Sequence, residues 1–216
     1  SKEDLANGWQ VRTVSAMGRA TVNSVEYLED NTCRRTFTDS AGLQSVTIET
    51  SGRVVTNTLP DGTVVVVQQG PDPRFGMKAP LAEKTVLKTP AGLVSTTLVQ
   101  QAVSLADKGD PLSIIAMTNR ATVNGKIWAS VYTAADKTIV ATTPMGKQSV
   151  VVADDKGRPV YVQAPGVAPV ANTYDNLGRL VRISQGEADE ERVTAFSYDV
   201  NGFLCSISNA MGEVSR

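Results

Sequence analysis

Histidine is absent from this sequence of 216 residues. Histidine is the usual base of serine and cysteine nucleophiles and a common zinc ligand, so its absence excludes those sites. Only two cysteines are present, Cys33 and Cys205. They are too few for a four-thiolate zinc site and allow at most one disulfide, and we expect two free, partly buried thiols. Aromatic residues make up 5% of the chain, which predicts a core of aliphatic side chains.

The sequence also lacks the usual signatures of nucleic-acid, membrane and cofactor binding. Lysine and arginine total 21 against 22 acidic residues, so there is no basic excess for nucleic acid. No apolar run approaches the ~20 residues of a membrane-spanning helix. No glycine-rich phosphate loop follows a strand into a helix. We therefore expect no nucleic-acid partner, no membrane insertion, no cofactor, no metal and no enzymatic activity.

Two acidic stretches allow two interpretations. Asp154-Asp155 and the run of Glu187, Asp189, Glu190 and Glu191 offer oxygen ligands for calcium or a pair of catalytic carboxylates. Neither stretch has the alternating aspartates and glycine of a calcium loop. The sequence favours a turn at the first stretch and a solvated hairpin tip at the second.

Regularly spaced turn signals are the main pattern in the sequence. Valine and threonine, which suit a pleated sheet, fill the segments between glycines. Ser51-Gly52 and Asp61-Gly62 supply positive-φ positions for tight turns. Most of the gaps between the later turn glycines are 8 to 12 residues long, the spacing of short antiparallel strands. These are Gly146, Gly157, Gly166, Gly178, Gly186, Gly202 and Gly212. The pattern predicts an all-β fold of antiparallel hairpins.

Two segments are ambiguous between helix and strand. Residues 98–109 could form three helical turns, but their alternation of apolar and polar residues favours a strand. Residues 79–88, "APLAEKTVLK", contain helix-forming residues. We expect a short helical turn there, inside a loop.

The chain contains an internal duplication. Residues 8–23 align without gaps on residues 109–124, and "RATVN" is identical in both. Tyr27 then falls on Trp128. Residues 42–53 align on 146–158 at nearly the same offset. This predicts two repeat units, residues 1–107 and 108–216, which either stand apart or form one continuous sheet.

Near the C-terminal end, a motif of tyrosine, aspartate, glycine and leucine occurs twice. The first copy is Tyr174, Asp175, Gly178 and Leu180, and the second is Tyr198, Asp199, Gly202 and Leu204. An aspartate can accept backbone N–H groups as a turn begins, and a glycine can take a positive φ as the chain reverses. Tyrosines one repeat apart can stack, with their hydroxyls reaching a polar partner. The spacing therefore predicts one hairpin of a growing, solenoid-like twisted sheet.

This motif resembles the YD repeat of Rhs and teneurin-type proteins. The clear likeness covers about residues 142–216, and the duplication extends a weaker one back to residue 8. The resemblance implies a spiral of β-hairpins that forms a hollow shell, in bacterial members secreted or at the cell surface. It implies a segment of shell wall that encloses or presents a C-terminal toxin, with the rest of the same polypeptide, further repeats and toxin cargo, as its partner.

Two other function classes stay open. The same repeats could form a cell-surface module that binds carbohydrate or protein, for which exposed aromatic residues would provide stacking surfaces. A β-rich hydrolase, such as a glycosidase, would instead need two facing carboxylates in a deep pocket. Because an open hairpin sheet has free edges, edge-to-edge self-association is a further expectation.

Overall fold

The computed structural model describes residues 1–186 and 191–215, and β-strands account for nearly all of the regular structure there. A single 3-10 turn, Glu29–Asn31, is the one helical element of these residues. The strands of the N-terminal half are β1 Lys2–Leu5, β2 Gly8–Val14, β3 Ala20–Tyr27, β4 Cys33–Thr38, β5 Gln44–Glu49, β6 Val54–Thr58, β7 Val64–Asp72, β8 Gly76–Lys88 and β9 Val94–Leu105. Those of the C-terminal half are β10 Ile114–Val123, β11 Lys126–Thr133, β12 Thr138–Thr142, β13 Gln148–Ala153, β14 Pro159–Gln163, β15 Val170–Tyr174, β16 Leu180–Gln185, β17 Arg192–Tyr198, β18 Leu204–Ser208 and β19 Val214–Ser215.

Strands that follow one another in sequence pair with one another. From β1 to β9, each strand pairs antiparallel with the next, and the same holds from β11 to β19. Such a meander needs only short connections, which the closely spaced glycines provide. The predicted all-β class and antiparallel hairpins are confirmed. The winding of these hairpins into a spiral stays a prediction.

The chain divides into two compact units. The first comprises residues 1–101 and 121–127, and the second comprises 102–120 and 128–216. The boundary between residues 107 and 108 that the duplication suggests stays a prediction.

Neither unit buries many side chains. Val25 is the only buried apolar residue in the described part of the chain, with 9% of its surface exposed. Most strand residues of the described chain are half-buried. The backbone pairing between neighbouring strands and the contacts between adjacent hairpins therefore carry much of the order.

Most hairpins share one five-residue turn. The N–H of the first residue donates to the carbonyl of the fifth, and the N–H of the fourth donates to the carbonyl of the first. This pattern occurs at residues 15–19, 39–43, 50–54, 59–63, 89–93, 143–147, 154–158, 175–179, 199–203 and 209–213. The fourth residue has a positive φ, which is the left-handed conformation that glycine adopts without steric cost.

Two local expectations from the sequence are wrong. In the turn at 50–54 the positive φ, 62°, belongs to Arg53 and not to Gly52, because the hydrogen bonds of Thr50 place Arg53 fourth. Residues 79–88 do not form a helical turn but lie in β8, where Lys84 to Lys88 pair with β7. Their helix propensity is overridden by pairing with a neighbouring strand. Residues 98–105 form part of a strand, β9, as expected.

The first block of the proposed duplication is also wrong. Residues 15–19 form a hairpin turn between β2 and β3, whereas the aligned residues 116–120 lie inside β10. Tyr27 ends β3, while Trp128 lies inside β11. The hairpins are thus out of phase, and the identical five residues do not mark equivalent places. The second block does correspond, because β5 and β13 are both six-residue strands that follow the same glycine turn.

Candidate functional site

Three turns of the second unit begin with an aspartate that caps the turn. Asp154, Asp175 and Asp199 each use one carboxylate oxygen to accept two backbone N–H groups, from the third and fifth residues of the turn, at 2.8–3.0 Å. Such bonds satisfy the donors that a tight reversal leaves without a backbone partner. The three turns connect β13 to β14, β15 to β16 and β17 to β18. Because they connect every second pair of antiparallel strands, the three turns lie at the same end of the strands. We call this rim of the sheet the YD edge.

Arginine closes the first two turns of the YD edge. The Nε of Arg158 donates to Oδ2 of Asp154 at 2.8 Å, and its Nη2 donates to the same oxygen at 2.6 Å. The Nε of Arg179 donates to Oδ2 of Asp175 at 2.7 Å. Each aspartate therefore binds the backbone through one oxygen and the guanidinium through the other. The charge-assisted bonds fix the direction in which each arginine points.

Each of these arginines reaches the tyrosine of the next hairpin. The guanidinium carbon of Arg158 lies 4.3 Å from the ring centre of Tyr174, and that of Arg179 lies 4.5 Å from the ring centre of Tyr198. These distances fit cation–π stacking. The arginine belongs to one hairpin and the tyrosine to the strand that enters the next turn. The contact therefore ties neighbouring hairpins together, and we call each such contact a rung.

The tyrosine hydroxyls complete the rungs. Tyr174 donates to the carbonyl oxygen of Pro159 at 3.1 Å, and Tyr198 donates to that of Leu180 at 2.8 Å. Pro159 and Leu180 each follow the arginine of their rung. Both rungs therefore repeat the same two contacts, one through the ring and one through the hydroxyl.

The turn glycines leave room for the arginines. A Cβ atom on Gly178 would lie 3.0 Å from Nη1 of Arg158, and one on Gly202 would lie 3.5 Å from Nη1 of Arg179. Both glycines also have a φ of 88°. Glycine adopts this φ without steric cost, and at Gly178 the absence of a Cβ also leaves room for the close approach of Arg158.

The third turn of the YD edge ends differently. Phe203 takes the place of the arginine and is 71% exposed. Leu204, which follows it, is 49% exposed, whereas Leu180 at the equivalent place is half-buried. At the other end of this edge, the Nζ of Lys137 bonds Oδ1 of Asp155 across adjacent hairpins. The sequence of contacts along the edge thus runs from an ion pair to two rungs and then to an exposed phenylalanine.

The rung contacts lower the pKa values of their aspartates. The guanidinium and the backbone N–H of Arg158 hold the pKa of Asp154 at about 2, below its ordinary value of 3.8. At Asp175, burial acts to raise the pKa, but the backbone and side chain of Arg179 outweigh it and the pKa is lowered. Both carboxylates are ionised at neutral pH and remain paired with their arginines.

The sequence identified the YD motif residues but missed part of the site. The eight motif residues lie at the YD edge, yet Arg158 supplies half of the first rung and was not singled out. Its signal is the D-x-x-G-R pattern, shared by residues 154–158 and 175–179. Asp154 caps a turn, as the sequence favoured, whereas Glu187, Asp189 and Glu190 lie outside the described residues. Both cysteines are free thiols; Cys33 is partly buried, as expected, but the expected burial of Cys205 is wrong, because its side chain is exposed.

Within residues 1–186 and 191–215, no group of three or more acidic or cysteine side chains is placed to hold a metal ion. In the same residues, no helix has the length and apolar character needed to cross a membrane. We call the two rungs together the ladder of the YD edge, and its contacts join one hairpin to the next.

Comparison with solved structures gives distant similarities. A porin-like protein from Bacteroides uniformis ATCC 8492 is 10% identical, with 93% of this chain and 92% of that chain covered and a TM-score of 0.34. The TcdB2-TccC3-TEV structure is 8% identical, with 94% of this chain and 18% of that chain covered and a TM-score of 0.27. The structure of TcdB2-TccC3 without its hypervariable C-terminal region is 10% identical, covers the same shares and has a TM-score of 0.26. The chain spans less than a fifth of the two TcdB2-TccC3 chains, and these scores carry no structural argument.

No curated protein matches the sequence. A family comparison, in contrast, matches residues 4–216 to the Teneurin YD-shell family. That match covers nearly the whole chain and includes all three turns of the YD edge. A shell family fits a chain whose organised contacts join one hairpin to the next. The chain belongs to the Teneurin YD-shell family.

Proposed function

We propose that this chain is a segment of the wall of an Rhs/YD-repeat shell that encloses or presents a C-terminal toxin. The observation that carries the proposal is the ladder of the YD edge. Its two rungs use the same contacts, Arg158 on Tyr174 and Arg179 on Tyr198. A joint that repeats between successive hairpins allows a sheet to be extended by further hairpins.

The burial pattern supports a wall and not a self-contained core. Val25 is the only buried apolar residue of the described chain, and many large apolar side chains are exposed. A sheet of this kind gains stability when further protein covers a face or continues an edge. Further repeats of the same polypeptide and an enclosed cargo would supply that cover. In this role the chain performs no catalysis and acts outside the cell, as a secreted or surface-bound protein.

The proposal is tested on the full-length polypeptide that contains this chain. Limited proteolysis of the native protein, followed by mass spectrometry, should find the segment C-terminal to the repeats protected. The same segment expressed alone should be cut at least tenfold faster. Unfolding the shell in denaturant should abolish the protection, because the barrier is the folded wall and not the sequence of the segment.

Equal rates of cleavage for the attached and the isolated segment would overturn the role in enclosure. Saturable binding of a glycan or a surface protein by the native polypeptide, without any protected segment, would favour the adhesion module instead. A toxicity measurement sharpens the comparison. Cells should tolerate the full-length protein better than the C-terminal segment alone.

A further inference from the structure

The dipeptide asparagine-glycine occurs three times, each time where a hairpin reverses. The copies are Asn7-Gly8, Asn124-Gly125 and Asn201-Gly202. Asparagine before glycine is open to an intramolecular reaction in which the glycine nitrogen attacks the amide carbon of the asparagine side chain. Glycine permits this approach because it has no side chain of its own. In a folded chain, the reaction also needs a glycine N–H that is free and a turn that has room to rearrange.

The first copy is held by the ladder between β1 and β2. Ser1 and Arg12 exchange both of their backbone hydrogen bonds. Such pairs alternate along an antiparallel ladder, so Leu5 and Gly8, which pair in the same register, exchange bonds in the same way. A Cβ on Gly8 would overlap the carbonyl oxygen of Val25. The Gly8 nitrogen is therefore engaged, and the chain around it is closely packed.

The third copy is held by the turn in which it lies. The Gly202 N–H donates to the carbonyl oxygen of Asp199 at 3.0 Å, and the Asn201 N–H donates to Oδ1 of the same residue at 2.9 Å. The Nη1 of Arg179 lies 3.5 Å from the position of a Cβ on Gly202. Attack by the Gly202 nitrogen therefore requires that the turn first opens by local unfolding.

The middle copy differs in both respects. Asn124 and Gly125 form the two-residue turn between β10 and β11, with φ values of 48° and 81°, and both residues are exposed. In the described part of the chain, the Gly125 N–H forms no hydrogen bond. Apart from its chain neighbours, no atom lies within 4 Å of a Cβ placed on Gly125. The attacking nitrogen is free, and the turn has room to rearrange.

Thr96 holds the group that would be attacked. Its N–H donates to Oδ1 of Asn124 at 2.8 Å, and its carbonyl oxygen accepts the Asn124 N–H at 2.9 Å. Both residues belong to the first compact unit. Negative charge develops on Oδ1 when the amide carbon is attacked, and a backbone N–H that already points at this oxygen stabilises the charge. Thr96 therefore attaches the turn to β9 and also favours the reaction of Asn124.

We propose that Asn124 is a site of spontaneous deamidation and that the reaction releases this turn from β9. The Gly125 nitrogen gives its proton to water and bonds to Cγ of Asn124, and the side-chain nitrogen leaves as ammonia. The five-membered imide that results then takes up one water molecule. Opening at Cγ gives aspartate, whereas opening at the main-chain carbonyl gives isoaspartate. Water is the only co-reactant.

The two products differ in their effect on Thr96. Aspartate keeps the main chain and an oxygen acceptor, and it adds one negative charge. In isoaspartate the main chain runs through Cβ and Cγ, so the turn becomes one carbon atom longer and the carboxylate stands on Cα. The two hydrogen bonds to Thr96 cannot then both form. This inference goes beyond the proposed shell role, because it concerns how the wall itself changes with time.

The first experiment incubates the purified 216-residue chain in mildly alkaline buffer made with oxygen-18 water, both native and in denaturant. Mass spectrometry of peptides follows conversion at Asn7, Asn124 and Asn201, and each conversion adds one labelled oxygen. The three rates should be similar in denaturant. In the native chain, Asn124 should convert at least about fivefold faster than the other two, the factor for one net hydrogen bond that they must first break.

A second experiment measures the release of the turn by hydrogen exchange. In the fraction of aged chain that carries isoaspartate at position 124, the Thr96 N–H should exchange at least about fivefold faster than in fresh chain. Asn124→Asp, which reproduces the other product, should leave this exchange unchanged. The Leu43 N–H, which donates to Oδ1 of Asp39 at 2.9 Å, is the matched control and should exchange equally in all samples.

Two results would overturn the inference. One is that folding slows the conversion of Asn124 as strongly as it slows that of Asn7 and Asn201. The other is unchanged exchange of the Thr96 N–H in the isoaspartate fraction. Neither result bears on the enclosure of a toxin, which the protease experiment tests separately.

Discussion

The two turns that flank β13 share a backbone geometry but differ in what they bind. At residues 143–147 and 154–158 the same pair of backbone hydrogen bonds closes the turn, and Gly146 and Gly157 both have a φ of 76°. Thr143 accepts one N–H, from Lys147, through its hydroxyl at 3.2 Å. Asp154 accepts two N–H groups and the guanidinium of Arg158.

The difference shows that turn formation and hairpin joining are separate properties of this sequence. The ten turns have glycine in fourth place except at Arg53, and a polar first residue except at Leu59. A rung requires in addition an arginine in fifth place and a tyrosine on the next hairpin. One edge of the C-terminal unit has these residues, and the turn at 143–147 does not.

The largest expected effect comes from a glycine that serves both properties. Gly178→Ala should destabilise the chain by about 2 kcal/mol, because it strains the positive φ and brings Cβ to 3.0 Å from Nη1 of Arg158. Gly212→Ala is the matched control, since its φ is 79° and no atom lies within 4 Å of its Cβ. It should cost about 1 kcal/mol from strain alone. Chemical denaturation measures both, and equal losses would mean that the approach of Arg158 does not constrain the turn.

Removing the arginine of a rung should have the next largest effect. Arg179→Met keeps most of the side-chain volume but loses the stacking on Tyr198 and the bond to Asp175, so we expect a loss of about 1.5 kcal/mol. Arg182→Met is the control, because Arg182 forms an exposed pair with Glu191 and its side chain is 46% exposed. That change should cost less than about 0.5 kcal/mol. Similar losses of stability for the two variants in denaturant unfolding would show that the rung contributes no more than an exposed ion pair.

The hydroxyl of the rung should contribute less than the guanidinium. Tyr198→Phe leaves the ring in place and removes the donor to the Leu180 carbonyl, with an expected loss of about 1 kcal/mol. Tyr161→Phe removes a hydroxyl whose bond to Gln163 is long, 3.3 Å, and exposed, so stability should not change measurably. The comparison is made by thermal unfolding, where 1 kcal/mol corresponds to a shift of about 2–4 °C. An unchanged Tm for Tyr198→Phe would contradict the role given to the hydroxyl.

Adding an aspartate should stabilise the turn at residues 143–147, which has no rung. Thr143→Asp introduces the residue that begins each turn of the YD edge, and its carboxylate can accept a second backbone N–H. We expect a gain of about 0.5 kcal/mol. Thr143→Val, which can accept none, should lose a similar amount, and both variants are measured by thermal unfolding. A loss in the aspartate variant would show that the two turns differ in more than their first residue.

The smallest expected effect is a change in stability that appears only at acidic pH. The pKa of Asp154 is about 2 in the folded chain and 3.8 ordinarily, so its contribution to stability is fully present above about pH 4 and is lost as the pH falls towards 2. Asp154→Asn should therefore flatten the decline of stability in this window. Unfolding curves from pH 5 to pH 2 would contradict this if the variant lost stability as steeply as the unchanged chain.

The sequence predicted the strands and turns well because both depend on local chemistry. Glycines at Gly146, Gly157, Gly178 and Gly202 mark turns through the positive φ that they adopt. The error at Gly52 has the same origin, since the hydrogen bonds of Thr50 and not the glycine decided which residue is fourth. Residues 79–88 were misassigned because pairing with β7 outweighs their helix propensity.

The rungs could not be predicted because they depend on contacts across hairpins. Arg158 and Tyr174 are 16 residues apart, and Arg179 and Tyr198 are 19 apart. The separation varies with the length of the hairpin, so no fixed period reveals the partners. The tyrosine and aspartate are visible as a motif, whereas the arginine that joins them becomes recognisable once the register of β14 to β17 is known.

Because the two rungs use the same contacts, a gene that encodes these hairpins can lose or gain a hairpin and keep an intact joint. Arg158 and Arg179 present the same surface, and Tyr174 and Tyr198 meet it in the same way. A recombination event that removed the 24 residues from Tyr174 to Ser197 would bring Tyr198 against Arg158 and recreate an intact joint. Duplication of the same interval would insert a new one. Arrays built on this edge should therefore grow and shrink by whole pairs of strands.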